Sequence, residues 1–292
     1  MARARKRVNP VVYFLLMILA AALIVGAVIF TVYKSGLRYI TINTGEHGVI
    51  KFIGRVDGSG DPVSGNVYFA DGSTGELERQ SDGGSGNGQA GLCFKLTYSN
   101  GDVYVGELDH FLRHGQGTLS YQGGDVYEGS FSYDEIDGYG VYAYIGGDVY
   151  TGDFVNGRKT GSGTYVWSAD REGKYDEYVG EFRDDRRTGK GKYTYANGNV
   201  YEGDFVNDVK SGKGKLIFAS GDVYEGDFIA DVRTGEGTYT WASGESYTGQ
   251  FLENKITGYG TYYWISEGKR QNYEGYFDNG KIVYVEEGEG GE

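Results

Sequence analysis

The chain has 292 residues, 52 of them Gly and 28 Tyr against 2 Pro, 1 Cys and 2 Met, with a formal net charge of −13. Gly at this density without a three-residue period excludes collagen and points to repeated turns, and an aromatic content of 15% excludes a disordered chain. All 41 acidic residues lie after residue 38, where 22 of the 28 Lys and Arg remain, so the body carries −19 and excludes a phosphate backbone as partner.

Residues 1–10 are a basic segment containing Arg3, Arg5, Lys6 and Arg7. Val11 to Tyr33 follows without a charge, 23 residues that would measure ~34 Å as a helix and cover a hydrocarbon core of ~30 Å. One uncleaved transmembrane α-helix is therefore expected at 11–33. The apolar run is longer than that of a cleaved signal peptide, and Thr31-Val-Tyr-Lys-Ser-Gly36 lacks the small-residue cleavage pattern. Four basic residues precede the run and only Lys34 and Arg38 follow closely, so the amino terminus is expected in the cytoplasm and everything after Tyr33 outside, at the plasma membrane. Residues 34–44 read as a linker.

Residues 45–100 read as degenerate repeats that cap the regular ones after residue 100. Gly65-Asn-Val-Tyr-Phe-Ala-Asp-Gly72 echoes Gly214-Lys-Leu-Ile-Phe-Ala-Ser-Gly221, and Leu96-Thr-Tyr98 echoes Tyr193-Thr-Tyr195. Between these echoes, Ser81-Asp-Gly-Gly-Ser-Gly-Asn-Gly88 has the composition of a flexible loop.

From residue 101 to 283 the chain repeats. Tyr104, Tyr127, Tyr150, Tyr178, Tyr201, Tyr224 and Tyr247 are spaced 23, 23, 28, 23, 23 and 23 residues apart, and Tyr273 stands 26 further on. Each has Gly two residues later and, except at Leu108, Phe two beyond that. A Gly-x-Gly pair with alternating large residues completes the unit, as in Gly235, Gly237, Tyr239 and Trp241. Two-residue spacing puts each set on one face of a strand, and the two strands form a hairpin. A register pairing Phe228 with Gly237, Gly226 with Tyr239 and Tyr224 with Trp241 sets every Gly against a ring, and pairing Trp241 with Tyr247 carries the rule onward. On the opposite face the same register sets Glu181 against Lys192 and Asp204 against Lys215. The tail Glu286-Glu-Gly-Glu-Gly-Gly-Glu292 has the composition of a disordered segment.

The unit Tyr224-Glu-Gly-Asp-Phe228, six residues, then Gly235-Glu-Gly-Thr-Tyr-Thr-Trp241 resembles the MORN repeat (membrane occupation and recognition nexus), with seven complete units and a partial eighth over 101–283. The resemblance implies an all-β fold, an elongated and twisted antiparallel sheet of stacked hairpins. It further implies a role in scaffolding, self-association or attachment at membranes, and no catalytic residue.

The residues agree on that last point. No nucleophile or acid–base pair stands out from the repeated background, and the Gly-x-Gly pairs lack the strand-then-helix setting and the Lys that phosphate loops need. His110 and His114 are four apart but have no Cys or third His beside them. The row Glu107, Asp153, Glu181, Asp204 and Asp227 lacks the converging oxygens of a calcium loop. No enzyme activity, cofactor, metal or nucleic acid is therefore expected. The two departures from the 23-residue period, at 168–176 and 266–272, read as equivalent insertions on one edge, presenting Arg171, Lys174, Lys269 and Arg270 as candidate partner contacts. The expected function is an outward-facing, membrane-anchored scaffold that binds a protein or a second copy of itself. A carbohydrate-binding module whose rings stack on cell-envelope sugars is the alternative.

Overall fold

Side chains that alternate large and small with period two build strands, and short turns fold those strands back on their neighbours. The computed structural model describes residues 17–25, 27, 31, 34–80 and 92–283, and strands occupy most of it from residue 37 onward. The basic segment 1–10, the loop 81–88 and the tail 286–292 lie outside the described residues. So does much of the expected membrane helix 11–33. Its described part is helical at 17–25, and among the described residues no helix is long and apolar enough to cross a membrane.

The chain divides into two compact units, residues 1–122 and 123–292. The first holds β1 (Leu37–Asn43), β2 (Val49–Val56), β3 (Pro62–Tyr68), β4 (Thr74–Arg79), β5 (Cys93–Tyr98), β6 (Val103–Asp109) and β7 (Leu112–Ser120). From β2 to β7 each pairs antiparallel with the strand before it. Residues 37–43, expected as linker, are thus a strand: Ile40 and Ile42 alternate with exposed Leu37, Tyr39 and Thr41, the pattern of a half-buried strand. Ile50, Phe52, Val67, Leu77, Phe94, Leu96 and Tyr104 form the core of this unit.

The second unit holds β8 (Val126–Ser132), β9 (Glu135–Ala143), β10 (Val149–Val155), β11 (Arg158–Val166), β12 (Glu177–Arg183), β13 (Arg186–Thr194) and β14 (Val200–Val206). It continues with β15 (Val209–Ile217), β16 (Val223–Ile229), β17 (Val232–Thr240), β18 (Ser246–Leu252), β19 (Lys255–Ser266), β20 (Lys269–Asp278) and β21 (Lys281–Val283). Again every pairing joins consecutive strands, antiparallel.

The register departs from the expected one by two residues. Tyr224 faces Tyr239, Gly226 faces Gly237 and Phe228 faces Arg233, while Tyr239, not Trp241, faces Tyr247. The cause is local. A two-residue turn, Ala230-Asp231, closes Ile229 onto Val232, and the surplus residues Gly235 and Glu236 are absorbed in a bulge beside Gly226. Gly235 takes φ +63° there, the left-handed backbone that a bulge glycine supplies. An offset of two keeps every side chain on its predicted face, so the hairpin and the aromatic side survive the correction.

Glycine therefore pairs with glycine, and the ring reaches them diagonally. A Cβ built on Gly237 would lie 2.6 Å from the Tyr224 ring, and one on Gly226 would lie 2.6 Å from the Gly237 Cα. Tyr127, Tyr150, Tyr178, Tyr201, Tyr224 and Tyr247 are fully buried. Each meets the Phe of its own strand and the Phe of the next unit edge-on, as Tyr201 does with Phe205 at 5.2 Å and Phe228 at 5.1 Å. Such T-shaped pairs add ~0.5–1.5 kcal/mol each beyond their buried area.

Candidate functional site

Three surfaces of the second unit are built by the repeat: the aromatic face, the polar face, and the turns at the two ends of the hairpins.

On the aromatic face the hairpins bend inward. Lys159 stands opposite Phe154, and Tyr144 lies two residues past the Tyr142–Tyr150 pair, a separation of ~20 Å in a flat sheet. Yet the Lys159 ammonium donates to the Tyr144 hydroxyl at 3.2 Å, and Lys210 to Tyr195 at 3.0 Å. The two halves of each hairpin thus close over the tyrosine spine. Arg187 lies 5.3 Å from the Tyr193 ring centre and 5.7 Å from Trp167, and Arg233 sits over Tyr224 and Tyr239 in the same way. Burial lowers the Arg233 pKa, and rings that accept a cation offset that cost. Trp167, Trp241 and Trp264 are half-buried, each packed on a neighbouring tyrosine.

Turn carboxylates staple one unit to the next. At one end Asp148, Asp176 and Asp222 accept the backbone N–H of Ser168, Ala196 and Ala242, and their second oxygens accept the hydroxyls of Tyr165, Tyr193 and Tyr239. The Tyr239 hydroxyl and the Ala242 N–H hold the Asp222 carboxyl below the usual carboxylate range. Burial and that carboxylate push the Tyr239 phenol up to about 12. At the other end Asp208, Asp231 and Asn254 accept the N–H of Arg187, Lys210 and Arg233. An Asp or Asn stands two residues before Tyr104, Tyr127, Tyr150, Tyr178, Tyr201 and Tyr224, with Glu245 in that place before Tyr247, a period legible in the sequence, but nothing in composition said that its partner lies 20 residues onward.

On the polar face the acidic row has a structural task. Glu181, Asp204 and Asp227 accept the N–H of Lys190, Lys213 and Glu236 and so cap the bulges. The two-residue offset also corrects the charge pairs. Across its hairpin Glu181 faces Thr188 rather than Lys192, and Lys215 faces Glu202 rather than Asp204, which stands in the bulge and faces Lys190 on its other neighbour, β13. The ion pairs formed are Lys190–Asp204 at 2.6 Å, Lys192–Glu202 at 3.6 Å and Lys213–Asp227 at 2.7 Å. A shallow depression of about 580 Å³ runs between these groups, from Lys190 to Thr248. Among the described residues no three His, Cys, Asp or Glu come together as a metal group; His110 sits on the β6–β7 turn beside Asp109 and His114 lies within β7.

The four candidate contact residues fall in two different settings. Arg171 and Lys174 lie on the exposed β11–β12 loop, which Asp170 orders by accepting the N–H of Glu172 and of Lys174, while the Lys174 ammonium pairs with Glu172 at 2.9 Å. Lys269 and Arg270 are in a strand. The three extra residues before Tyr273 do not bulge into a loop; they lengthen β19 and β20, which pair through Ser266–Lys269. The Arg270 guanidinium lies 4.1 Å over the Tyr263 ring. Eight strand spacings separate the two places, ~38 Å.

A family model, the MORN repeat, matches residues 104–126, 127–149, 150–169, 178–200, 201–223, 224–246 and 247–269, more than half of the chain. No curated protein matches it. Among solved structures, one of a streptogramin B lyase is 11% identical over 84% of this chain and 85% of its own, with a TM-score of 0.16. A catalytically inactive virginiamycin B lyase from Staphylococcus aureus with quinupristin is 12% identical over 81% of this chain and 87% of its own, also at 0.16. At that score neither likeness bears on fold or function.

Proposed function

The chain belongs to the MORN-repeat family, and on that premise we propose that it is a non-catalytic, membrane-anchored scaffold whose repeats bind a protein partner or a second copy of the chain. The observation that carries this reading is how each unit spends its residues. The spine tyrosines and phenylalanines are consumed in the unit's own core, and the turn carboxylates in joining units. What each unit leaves exposed is a regular surface of strand and turn. Such a surface suits holding another macromolecule better than transforming a small one.

The anchor is the run Val11–Tyr33, with the amino terminus in the cytoplasm and the repeats outside. Support comes from the sequence and from Met17, Ile18, Leu19, Leu23 and Ile24, whose apolar side chains are all exposed, as lipid-facing residues are in the absence of lipid. Protease shaving of intact cells tests the orientation: loss of a carboxy-terminal epitope is expected, and its survival until the membrane is broken overturns outward display. Gentle extraction followed by light scattering tests the scaffold. A complex heavier than one chain is expected, and a bare monomer from native membranes overturns it. The half-buried Trp167, Trp241 and Trp264 favour sugar stacking as a second reading, which quenching of their fluorescence across a panel of envelope glycans tests. Unchanged emission across the panel removes that reading.

A further inference from the structure

In hairpins β14–β15, β16–β17 and β18–β19 the residue after the buried Phe205, Phe228 or Phe251 is apolar and, by alternation, points to the polar face just before a two-residue turn. These residues are Val206, Ile229 and Leu252, exposed at 51%, 66% and 59%. Across the turns Val206 faces Val209 and Ile229 faces Val232, so five apolar side chains from five consecutive strands stand in one row. At ~4.8 Å per strand the row is ~19 Å long. It lies on the side away from the tyrosine spine and contributes nothing to that core. A single exposed apolar side chain is ordinary, whereas a contiguous row marks a contact surface.

The hairpin before this row supplies its charge. Arg183 faces Arg186 across the β12–β13 turn, both are exposed, and among the described residues neither has a carboxylate within ion-pair distance. Their neighbours differ: Arg158, Arg187 and Lys210 are matched by Asp184, Asp208 and Asp231. Like charges directly opposite each other destabilise a strand pair, so the fold gains nothing from this arrangement. An anionic group from outside would turn that cost into a gain, because a guanidinium pairs with a carboxylate through two parallel hydrogen bonds. At the other end of the row Lys255 faces Leu252 and adds one more positive charge.

The shape of the row selects its occupant. It is one residue wide, bordered on the turn side by Asp208, Asp231 and Glu253 and on the other by Asp204 and Asp227, two residues before Val206 and Ile229. A bilayer is a plane and would have to dehydrate both borders at once, against the charge of an acidic body. An α-helix is narrow enough to lay one apolar stripe on the row while its polar flanks stay over the charged borders. Laid across the strands, it advances about 5.4 Å per turn against ~4.8 Å per strand, so apolar side chains at i, i+4, i+7 and i+11 meet successive strands. From Arg183 on β12 to Leu252 on β18 is six strand spacings, ~29 Å, the length of about 19 helical residues.

We propose that the turn-side rim of the polar face, from Arg183 and Arg186 along Val206, Ile229 and Leu252, docks an amphipathic helix of a partner protein, with acidic residues at the end that lies over the arginine pair. The proposal deepens the scaffold reading by naming the chemistry of the partner, and rests on its protein-partner half.

The test uses the full chain in nanodiscs of phosphatidylcholine and phosphatidylglycerol. The probe is a fluorescent synthetic peptide of about 20 residues with Leu once per helical turn and Glu at one end. Binding is read by anisotropy and folding by circular dichroism. The native chain should bind this peptide, and at least tenfold more weakly a peptide of the same composition with its Leu positions scrambled. Ile229→Asp should weaken binding at least tenfold. Arg183→Glu with Arg186→Glu should reverse the preference toward a peptide with Lys in place of the terminal Glu. A polarity-sensitive dye on Leu252→Cys, in a Cys93→Ser background, should shift to the blue only when peptide is added. A shift in the nanodisc alone shows lipid on the row and overturns the helix. Equal binding of the scrambled peptide overturns the stripe, equal binding by a folded Ile229→Asp overturns the surface, and an unchanged preference in the folded double variant overturns the charged end. If no peptide binds, the proposal falls, and the mass of the complex from native membranes decides the scaffold reading separately. A heavy complex that Ile229→Asp leaves intact keeps a scaffold without this surface, and a bare monomer removes both.

Discussion

Strands β2–β3 and strands β16–β17 solve one packing problem with different side chains. In both, two glycines face each other, Gly54 with Gly65 and Gly226 with Gly237, and a ring two residues earlier on the first strand lies over the pair. The ring is Phe52 in one and Tyr224 in the other, both fully buried. Tyr224 adds a tether: its hydroxyl donates to the Asp227 carbonyl at 3.0 Å, which Phe52 cannot do. Beyond the first hairpin the cap gives up the glycine pair and fills the space with Leu77 facing Leu96. Shape alone therefore sets the ring-over-glycine arrangement. The hydroxyl is an addition that the repeated units keep and the cap lacks, and it makes the repeats titratable where the cap core is inert.

The largest effect that separates the two regions is alkaline unfolding. Burial pushes the phenols of Tyr178, Tyr224 and Tyr247 up to about 12 and raises those of Tyr150 and Tyr201 too, against about 10 in an unfolded chain. A raised folded pKa gives stability that is fully present below the unfolded value and is lost as pH rises through the folded one. The repeats should hold below pH ~10 and unfold cooperatively between ~10 and ~12. Tyrosinate absorbance should then rise in step with the loss of ordered tryptophan fluorescence. All 28 tyrosines titrating smoothly near 10 with circular dichroism unchanged would break the contrast.

Next in size is Gly226→Val. A Cβ there would lie 2.5 Å from the Tyr224 hydroxyl, 2.6 Å from the Gly237 Cα and 2.7 Å from the Glu236 carbonyl oxygen, so both ring and facing backbone must move. The expected cost is ~3 kcal/mol, the upper end for overpacking, read as a lowered melting temperature. Gly146→Ala is the control, since a Cβ at Gly146 meets nothing within 4 Å and the melting temperature should not change.

These contrasts mark what was legible beforehand. Type and period were, because Tyr-x-Gly-x-Phe and Gly-x-Gly each put their small and large residues on one face, and burial of Tyr127 to Tyr247 follows from that alone. The pairing partner was not, because a two-residue turn and a bulge trade residues without moving any side chain to the other face. Periodicity is blind to such an offset, and the pairs Glu181–Lys192 and Asp204–Lys215 were misplaced with it. Phe52-Ile-Gly54 went unread as a unit because its ring carries no hydroxyl to match the repeated Tyr. The insertion at 266–272 read as a loop because length alone does not distinguish a longer turn from a longer hairpin.

The smallest effect sharpens the comparison at the turns. The two-residue turns of the repeats place both central residues at positive φ, a conformation natural to Asn-Gly at 156–157 and tolerated by Asn207. Ala230 adopts φ +48° in the same position with neither glycine's freedom nor a side chain that bonds locally. For an L-residue the left-handed region costs ~1–2 kcal/mol, part of which Asn recovers. Ala230→Asn should therefore stabilise the chain by ~0.5–1 kcal/mol and raise the melting temperature slightly. Asp231, its neighbour, must keep its carboxylate on the Lys210 N–H for that gain to appear, because the staple to the preceding unit is made there at 3.0 Å. Combining Ala230→Asn with Asp231→Gly, which removes the staple without placing another strained side chain at φ +69°, weighs the two contributions: a net loss identifies the staple as the stronger of the two, and a net gain would show that turn strain outweighs it.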